Sequence, residues 1–240
     1  MFIGQARSGS TLVGALLTAH PEVAIAHELD ALKYVQRGIS RNQLFALLLR
    51  HDRMFIEHGA HAQEFHYLVP NQWQGRFQKL KVIGDKRAAK TSMRLRESPE
   101  LLGRLRDLVQ LPLRMVHLVR NPFDNITTMS RRSGQSLPQT IDRYFVQTDG
   151  NARLVQTCDR SELITMRHED LIARPKENLK RLVEFIGLRA DEQYLNDCAG
   201  ILYEAPSKTR QKVAWTEELI DQVQSRIAKY PFLQGYTFET

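Results

Sequence analysis

The sequence predicts an α/β fold, a central parallel β-sheet flanked by helices. Three observations carry this. Short apolar runs such as LKVIG (80–84), RMVHLV (114–119) and LITMR (163–167) alternate with longer stretches of helical period. Strands separated by helices favour parallel pairing, with ligands bound outside the carboxyl ends of the strands. The chain of 240 residues has no internal repeat, low-complexity tract or Pro/Gly/Ser-rich linker, so it reads as one domain over 1–240.

Taken in order, residues 1–4 read as the end of a first strand, and 11–19 as a helix stopped by His20-Pro21. Residues 22–26 are a second strand, and 29–53 are mostly helical with a break near Gly38. Residues 54–78 mix His58, His61, His66, Pro70, Asn71, Trp73 and Gly75 without a period, and read as a loop or lid. Three histidines there raise the question of a metal, but no cysteine or tight carboxylate pair joins them, and surface histidines are the simpler reading. After the strand at 80–84, Ser98 serves as N-cap of a helix to about Gln110, with Pro99 at its first position. The strand at 114–119 leads to a helix from Pro122 to about Arg132, then a helix over 137–157 and the strand at 163–167. Residues 175–186 form an amphipathic helix with Leu179, Leu182, Val183 and Ile186 on one face, and 191–202 and 216–229 are further helices.

Composition narrows the class. The chain is 42% hydrophobic and 25% charged, as in ordinary globular proteins. Cys158 and Cys198 are too few for a disulfide framework and lack metal-site spacing. No run approaches the roughly 20 apolar residues of a membrane span, and the apolar stretch at 11–19 is too short and interrupted for a signal peptide. The expectation is a cytoplasmic protein, or a catalytic domain cut from a longer chain. The net charge is +7 and the pI about 9.5, with arginine the main contributor. Arginine favours bidentate binding of phosphate and carboxylate. No aromatic-interleaved basic patch or nucleic-acid motif is present, so a small polyanion in a basic cleft is the better expectation than nucleic acid.

The stretch GQARSGST (4–11) has the spacing of the phosphate-cradling loop G-x-x-x-x-G-K-[ST], but Ser10 stands where that loop carries lysine. A strand runs into Gly4, and a helix starts near Thr11. Gly9 lets the backbone come close, free N–H groups and the helix dipole attract an anion, and Ser8, Ser10 and Thr11 add hydroxyls. Arg7 supplies the charge the lysine would have supplied. A Gly/Ser-rich turn with a well-capped helix is the plainer alternative. The missing lysine argues against an ATPase or GTPase, since that side chain reaches the β/γ-phosphates.

The second stretch is VHLVRNPFDNITTMSRR (116–132). Arg120 sits just past a strand, Asn121-Pro122 turns the chain, and Thr128 and Arg132 share a helix face four residues apart. Arg120 and Thr128 could grip one phosphate from two sides.

Together these segments resemble the sulfotransferases that use 3′-phosphoadenosine 5′-phosphosulfate (PAPS). ARSGSTLVGALLTAHPEV is similar to that family's R-S-G-[ST]-[ST]-L, helix and H-P signature; VHLVRNPFDNITTMS resembles strand, V-R-[DN]-P and a later hydroxyl. MRHEDLIARPKENLKRLVEFIGL resembles the Y-E-D-L…P…L…F-L-G-L segment, and SKTRQKVAW the late basic loop. The matches keep the family order from residue 3 to about 236. The resemblance implies a P-loop-like sulfotransferase fold and no metal. Arg7, Ser8, Gly9, Ser10 and Thr11 would hold the 5′-phosphosulfate, and Arg120 and Thr128 the 3′-phosphate. Lys208 and Arg210 would belong to the loop that closes over the nucleotide, with PAP the product. Threonine at 128 replaces the usual serine and keeps the hydroxyl; Asn121 replaces the commoner aspartate.

For the acceptor's proton the resemblance to the tyrosylprotein branch points to Glu28, with His27 beside it and Asp85 as alternatives. The two neighbours point opposite ways if the strand continues. Lys86 in GDKRAAK stands where related enzymes keep a catalytic or charge-stabilising residue. The acceptor class stays open among carbohydrate, tyrosine, lipid and small metabolite, with residues 29–78 on its side. A P-loop small-molecule kinase and a catalytically silent nucleotide-binding module are the competing readings, separable by preference for PAP over ATP.

Overall fold

The computed structural model describes residues 1–62 and 65–240. The chain begins with β1 (Phe2–Gly4), α1 (Ser10–Thr18) and β2 (Val23–His27), followed by α2 (Ala31–Gln36) and α3 (Arg41–Glu57). A small antiparallel pair, β3 (His61–Ala62) and β4 (Phe65–His66), leads to β5 (Val82–Lys86), α4 (Ala88–Glu97) and α5 (Glu100–Val109). Then come β6 (Met115–Val119), α6 (Pro122–Ser133), α7 (Leu137–Thr157), β7 (Leu163–Arg167), α8 (His168–Ala173), α9 (Pro175–Phe185), α10 (Glu192–Gly200) and α11 (Glu217–Ile227).

The long strands are all parallel, as the alternation of apolar runs and helices requires. Their hydrogen bonds form two ladders, β1-β6-β7 and β2-β5. β2 and β5 run in register with His27 opposite Lys86, so both strands end at the same level. β6 is buried at every position, which explains its unbroken apolar run. Phe2, Leu16, Val116 and Leu182 belong to the apolar core on one side of the strands, and Ile3, Leu32, Leu44 and Leu101 to that on the other.

Several boundaries differ from the sequence reading for local reasons. The stretch read as one helix over 29–53 is two, because Gly38 takes φ 79° and Ser40 opens α3 with a capping box to Gln43. Ser98 is not the N-cap of α5: it ends α4 with φ −142°, and Pro99 takes the cap position without a side-chain bond. A residue before proline is driven out of the helical region, so Ser98-Pro99 breaks what would otherwise be one helix. α4 and α8 have no counterpart in the sequence reading. Within the stretch read as a loop, Gln74 ties the backbone to α1 by bonding Val69 N, Tyr67 O and Ala15 O.

Candidate active site

At the carboxyl ends of β1, β2, β5 and β6 the chain encloses a cavity of ≈ 510 Å³. A smaller one of ≈ 270 Å³ shares Gly9, Tyr67, Arg120 and His168 with it, and adds Phe65 and Tyr203. The floor is the turn between β1 and α1. Gly9 takes φ 94° and Arg7 φ 69°, conformations that glycine tolerates and arginine adopts only under constraint. The constraint is visible: Ser8 Oγ donates to Gln5 O, Asn125 Nδ2 to Ala6 O and Arg120 Nη1 to Arg7 O. A Cβ on Gly9 would fall 2.5 Å from His168 Nδ1, so glycine is demanded there by contact as well as by φ. α1 opens without a side-chain cap and without an acidic residue in its first turn. Its first N–H groups therefore point at the cavity that Ser10 and Thr11 line.

Arg120 leaves the end of β6 and is 9% exposed. Its Nη groups bond only backbone carbonyls, of Arg7 and of Ser207 (2.8 Å), and its Nε has no partner. Among the described residues no carboxylate pairs with it, and burial pulls its pKa down. A buried guanidinium that lacks an anion is costly alone and well suited to receiving one. Thr128 lines the same cavity; its hydroxyl donates to Asp124 O (2.8 Å) and meets Thr209 Oγ1 at 3.0 Å.

Glu28 enters from the other wall. Past the end of β2 the backbone turns left-handed at Glu28 (φ 63°) and Asp30 (φ 65°). Asp85 holds that turn, accepting from Leu29 N (3.1 Å) and Ala31 N (2.7 Å), while Asp30 is gripped bidentately by Arg94. The turn carries Glu28 to Lys86 Nζ (3.0 Å) and Arg87 Nη1 (2.9 Å). Burial alone would raise the Glu28 carboxyl, but Lys86 and Arg87 outweigh it and the net shift is downward. Lys86 is 2% exposed. Its stem runs past Gly14, where a Cβ would sit 3.0 Å from Lys86 Cγ, and Nζ also donates to Thr11 Oγ1 (2.9 Å). Burial lowers its pKa against the opposing pull of Glu28.

Not every sequence candidate reaches the cavity. His27 lies outside its lining, stacked on Phe55 with ring centres 3.9 Å apart, and burial together with Lys86 brings its pKa down to about 4. Asp85 spends both oxygens on the β2–α2 turn and lines a separate apolar cavity of ≈ 340 Å³. The SKTR segment does approach, through Ser207 O and Thr209, but the two cations turn away. Arg210 is buried against Asp124 (3.3 Å) and Thr237 O, and Lys208 bonds Glu239 O.

The structure also adds residues. His168 opens α8, is half-buried at the cavity wall with its Nδ1 enclosed and unpartnered, and has a pKa near 4 through burial and the Arg120 charge. The sequence signal for it lay in MRHEDL, where it directly follows a strand. Arg87, Lys90 and Met93 come from the unrecognised α4, whose stretch AAKTSMRLRE reads as a continuous helix former once its burial pattern is seen.

Comparison with known proteins agrees with this architecture. A model of the sulfotransferase family matches residues 1–192. Among solved structures, a sulfotransferase domain from the curacin biosynthetic pathway is similar with a TM-score of 0.57 at 15% identity, covering 95% of each chain. The sulfotransferase domain of the Synechococcus PCC 7002 olefin synthase has a TM-score of 0.49 at 17% identity, covering 93% of this chain and 86% of that one. A sulfotransferase from Alicyclobacillus acidocaldarius has a TM-score of 0.49 at 14% identity, covering 95% of this chain and 92% of that one. None of the curated proteins matches. No helix among the described residues is long and apolar enough to cross a membrane. The first of these structures supports the parallel α/β fold, and the family match over residues 1–192 supplies the rest: this chain belongs to the sulfotransferase family.

Proposed function

We propose that the chain, as one domain over 1–240, transfers the sulfuryl group of PAPS to an acceptor hydroxyl or amine by in-line displacement. The observation that carries this reading is Arg120, buried with no carboxylate in ion-pair contact among the described residues and with an unpartnered Nε, lining the same cavity as the uncapped start of α1. Two anion sites of different construction in one cavity suit a ligand phosphorylated at two places. Arg7, Ser8, Gly9, Ser10 and Thr11 would hold the 5′-phosphosulfate through helix amides and hydroxyls. Arg120 and Thr128 would hold the 3′-phosphate, with the Lys208–Arg210 segment completing the wall behind them. His168, Phe65 and Tyr67 border the same space and suit the base.

Bound PAPS would supply a sulfuryl group on a phosphate leaving group. The protein's task is then positioning and charge neutralisation rather than covalent chemistry. Glu28 is the base: it alone of the three candidates lines the cavity, ionised at neutral pH. Lys86 lies just behind the lining, bonded to Thr11 and Glu28, and from there would neutralise the oxygen that leaves. When Glu28 takes the acceptor's proton it loosens its hold on Lys86, leaving that ammonium's charge for the leaving oxygen. No metal ion is needed in this scheme, because arginine and lysine carry the positive charge.

The test is calorimetric titration with PAP and with ATP on the parent chain, Arg7→Ala and Arg120→Ala. PAP binding in the micromolar range, at least ~10-fold tighter than ATP and lost in both variants, is the expected result. No PAP binding, or binding indifferent to both substitutions, overturns the donor assignment and favours the kinase reading. Tight PAP binding without transfer to any acceptor favours a silent nucleotide-binding module.

A further inference from the structure

We propose that the acceptor carries an anionic group, read by Lys90 and Arg143 where α4 and α7 line the cavity; the inference rests on the sulfotransferase reading above. Both residues line the cavity, yet they come from different helices, α4 and α7. The packing of those helices fixes their relation. Gln147 Nε2 donates to Ala89 O, and Gly150 makes room for the stem of Arg96. Arg143 lies one turn before Gln147 on the same face of α7, so it stands over the first turn of α4, where Lys90 is.

Both side chains are exposed where they line the cavity, and among the described residues neither is neutralised by a carboxylate. Arg143 bonds only the neutral amide of Gln135 (3.2 Å), and Lys90 has no hydrogen bond or ion pair among the described residues. Their neighbour Arg87 differs, being held by Glu28. Lys90 also sits where a lysine is unfavourable: the first turn of α4 has no acidic residue and no side-chain cap, and its exposed amides already form the positive end of the helix. A local rule broken inside a cavity lining is the kind of departure that functional positions show. Among the described residues the one carboxylate lining this cavity, Glu28, is committed to Lys86 and Arg87. An acceptor entering here meets cations on every side, and an acceptor bearing a carboxylate, phosphate or sulfate supplies what they lack.

The experiment uses the full chain saturated with PAP, so that the sites at α1 and Arg120 are filled, and titrates it with inorganic phosphate. The parent should show saturable binding, and Lys90→Ala/Arg143→Ala should weaken it at least ~10-fold while leaving PAP affinity within ~3-fold. Saturable phosphate binding that persists in the double variant, or its absence from the parent, overturns the proposal. A parallel fall in PAP affinity also overturns it, because the cations would then serve the nucleotide. Failure of PAP itself to bind sinks the donor assignment instead, which keeps the two readings apart. A second arm uses matched acceptor pairs with and without charge: 4-hydroxyphenylacetate and its amide, glucose 6-phosphate and glucose. The charged member should be sulfated with kcat/KM at least ~10-fold higher, and the double variant should erase that preference chiefly through KM. Equal use of both members counts against the proposal.

Discussion

Lys86 Nζ lies 3.0 Å from Glu28 Oε1 and 2.9 Å from Thr11 Oγ1. One ammonium thus joins the ends of β2 and β5 to the first turn of α1, bringing the proposed base and the proposed anion-binding turn into contact with a positive charge. The pair exists because β2 and β5 end in register and because the backbone turns left-handed at Glu28, held by Asp85. Its consequences are measurable.

Glu28→Gln keeps size and removes the base. Transfer should fall by ~10²–10⁴-fold, the usual contribution of general base catalysis, with PAP affinity unchanged within ~3-fold. Activity retained above a tenth of the parent would assign the proton to another group.

The pH profile reports the same contact. Lys86 and Arg87 hold the Glu28 carboxyl below its ordinary range against burial, which pushes it up. The base therefore stays ionised to lower pH than an isolated glutamate. Lys86→Gln removes the main depressing charge, so the acid limb of kcat/KM should move to higher pH, on top of any loss in rate. An acid limb that does not move would show that the profile reports a different group.

Gly9→Ala meets two separate obstacles, a φ of 94° and a Cβ 2.5 Å from His168 Nδ1. Denaturant unfolding should show a loss of ~1–3 kcal/mol or more. Gly9→Ala/His168→Ala should recover the contact part and not the backbone part, a non-additivity visible in a double-mutant cycle. Strict additivity would mean that His168 is not the obstacle.

Arg120→Met separates stability from binding. The guanidinium is buried with no carboxylate in contact among the described residues, and burial outweighs the pull of Asp124 and Glu169, so an apolar side chain of similar length should leave Tm unchanged or raise it. PAP affinity should fall by ~10²-fold or more, since an anion loses its charge-assisted donors. A large fall in Tm would identify Arg120 as structural.

Asp52 on α3 gives a pH dependence of stability. It is buried, accepts the Ile25 N–H, and burial raises its pKa from 3.8 to about 7. Between those values the folded chain holds a proton that the unfolded chain has released, so this residue lowers stability as pH rises through that window. The effect levels off above about 7 and has a ceiling on the order of 4 kcal/mol. Asp52→Asn should be more stable than the parent at pH 8 and close to it near pH 4, read by urea unfolding at both. Equal effects at the two pH values would contradict the shift.

How legible the molecule was depended on the range of the interactions. The parallel α/β class, the strands at 114–119 and 163–167 and the turn GQARSGST were readable because apolar period, strand length and glycine spacing are local properties. So were Arg7, Ser10, Thr11, Arg120 and Thr128 as residues at strand ends and helix starts, and the structure gathers them in one cavity. α4 was missed because its polar-rich face packs on α7 and its apolar positions are few; burial, not period, defines it. Arg143 was missed because nothing local marks a residue whose neighbours lie far along the chain, and His168 because its place after a strand does not reveal the cavity it borders. The choice among Glu28, His27 and Asp85 was likewise beyond local reading. Three carboxylates and imidazoles near two strand ends look equivalent in sequence, and their directions are decided by tertiary contacts: Phe55 stacking on His27, the two backbone amides that occupy Asp85, and the turn that sends Glu28 to Lys86. Sequence by itself determined the parallel layering and the strand-end positions that line the cavity, because backbone geometry and hydrophobic burial act over a few residues. Only the tertiary structure decided which side chains share the cavity and which charges stay unpaired, because those depend on groups tens of residues apart meeting in space.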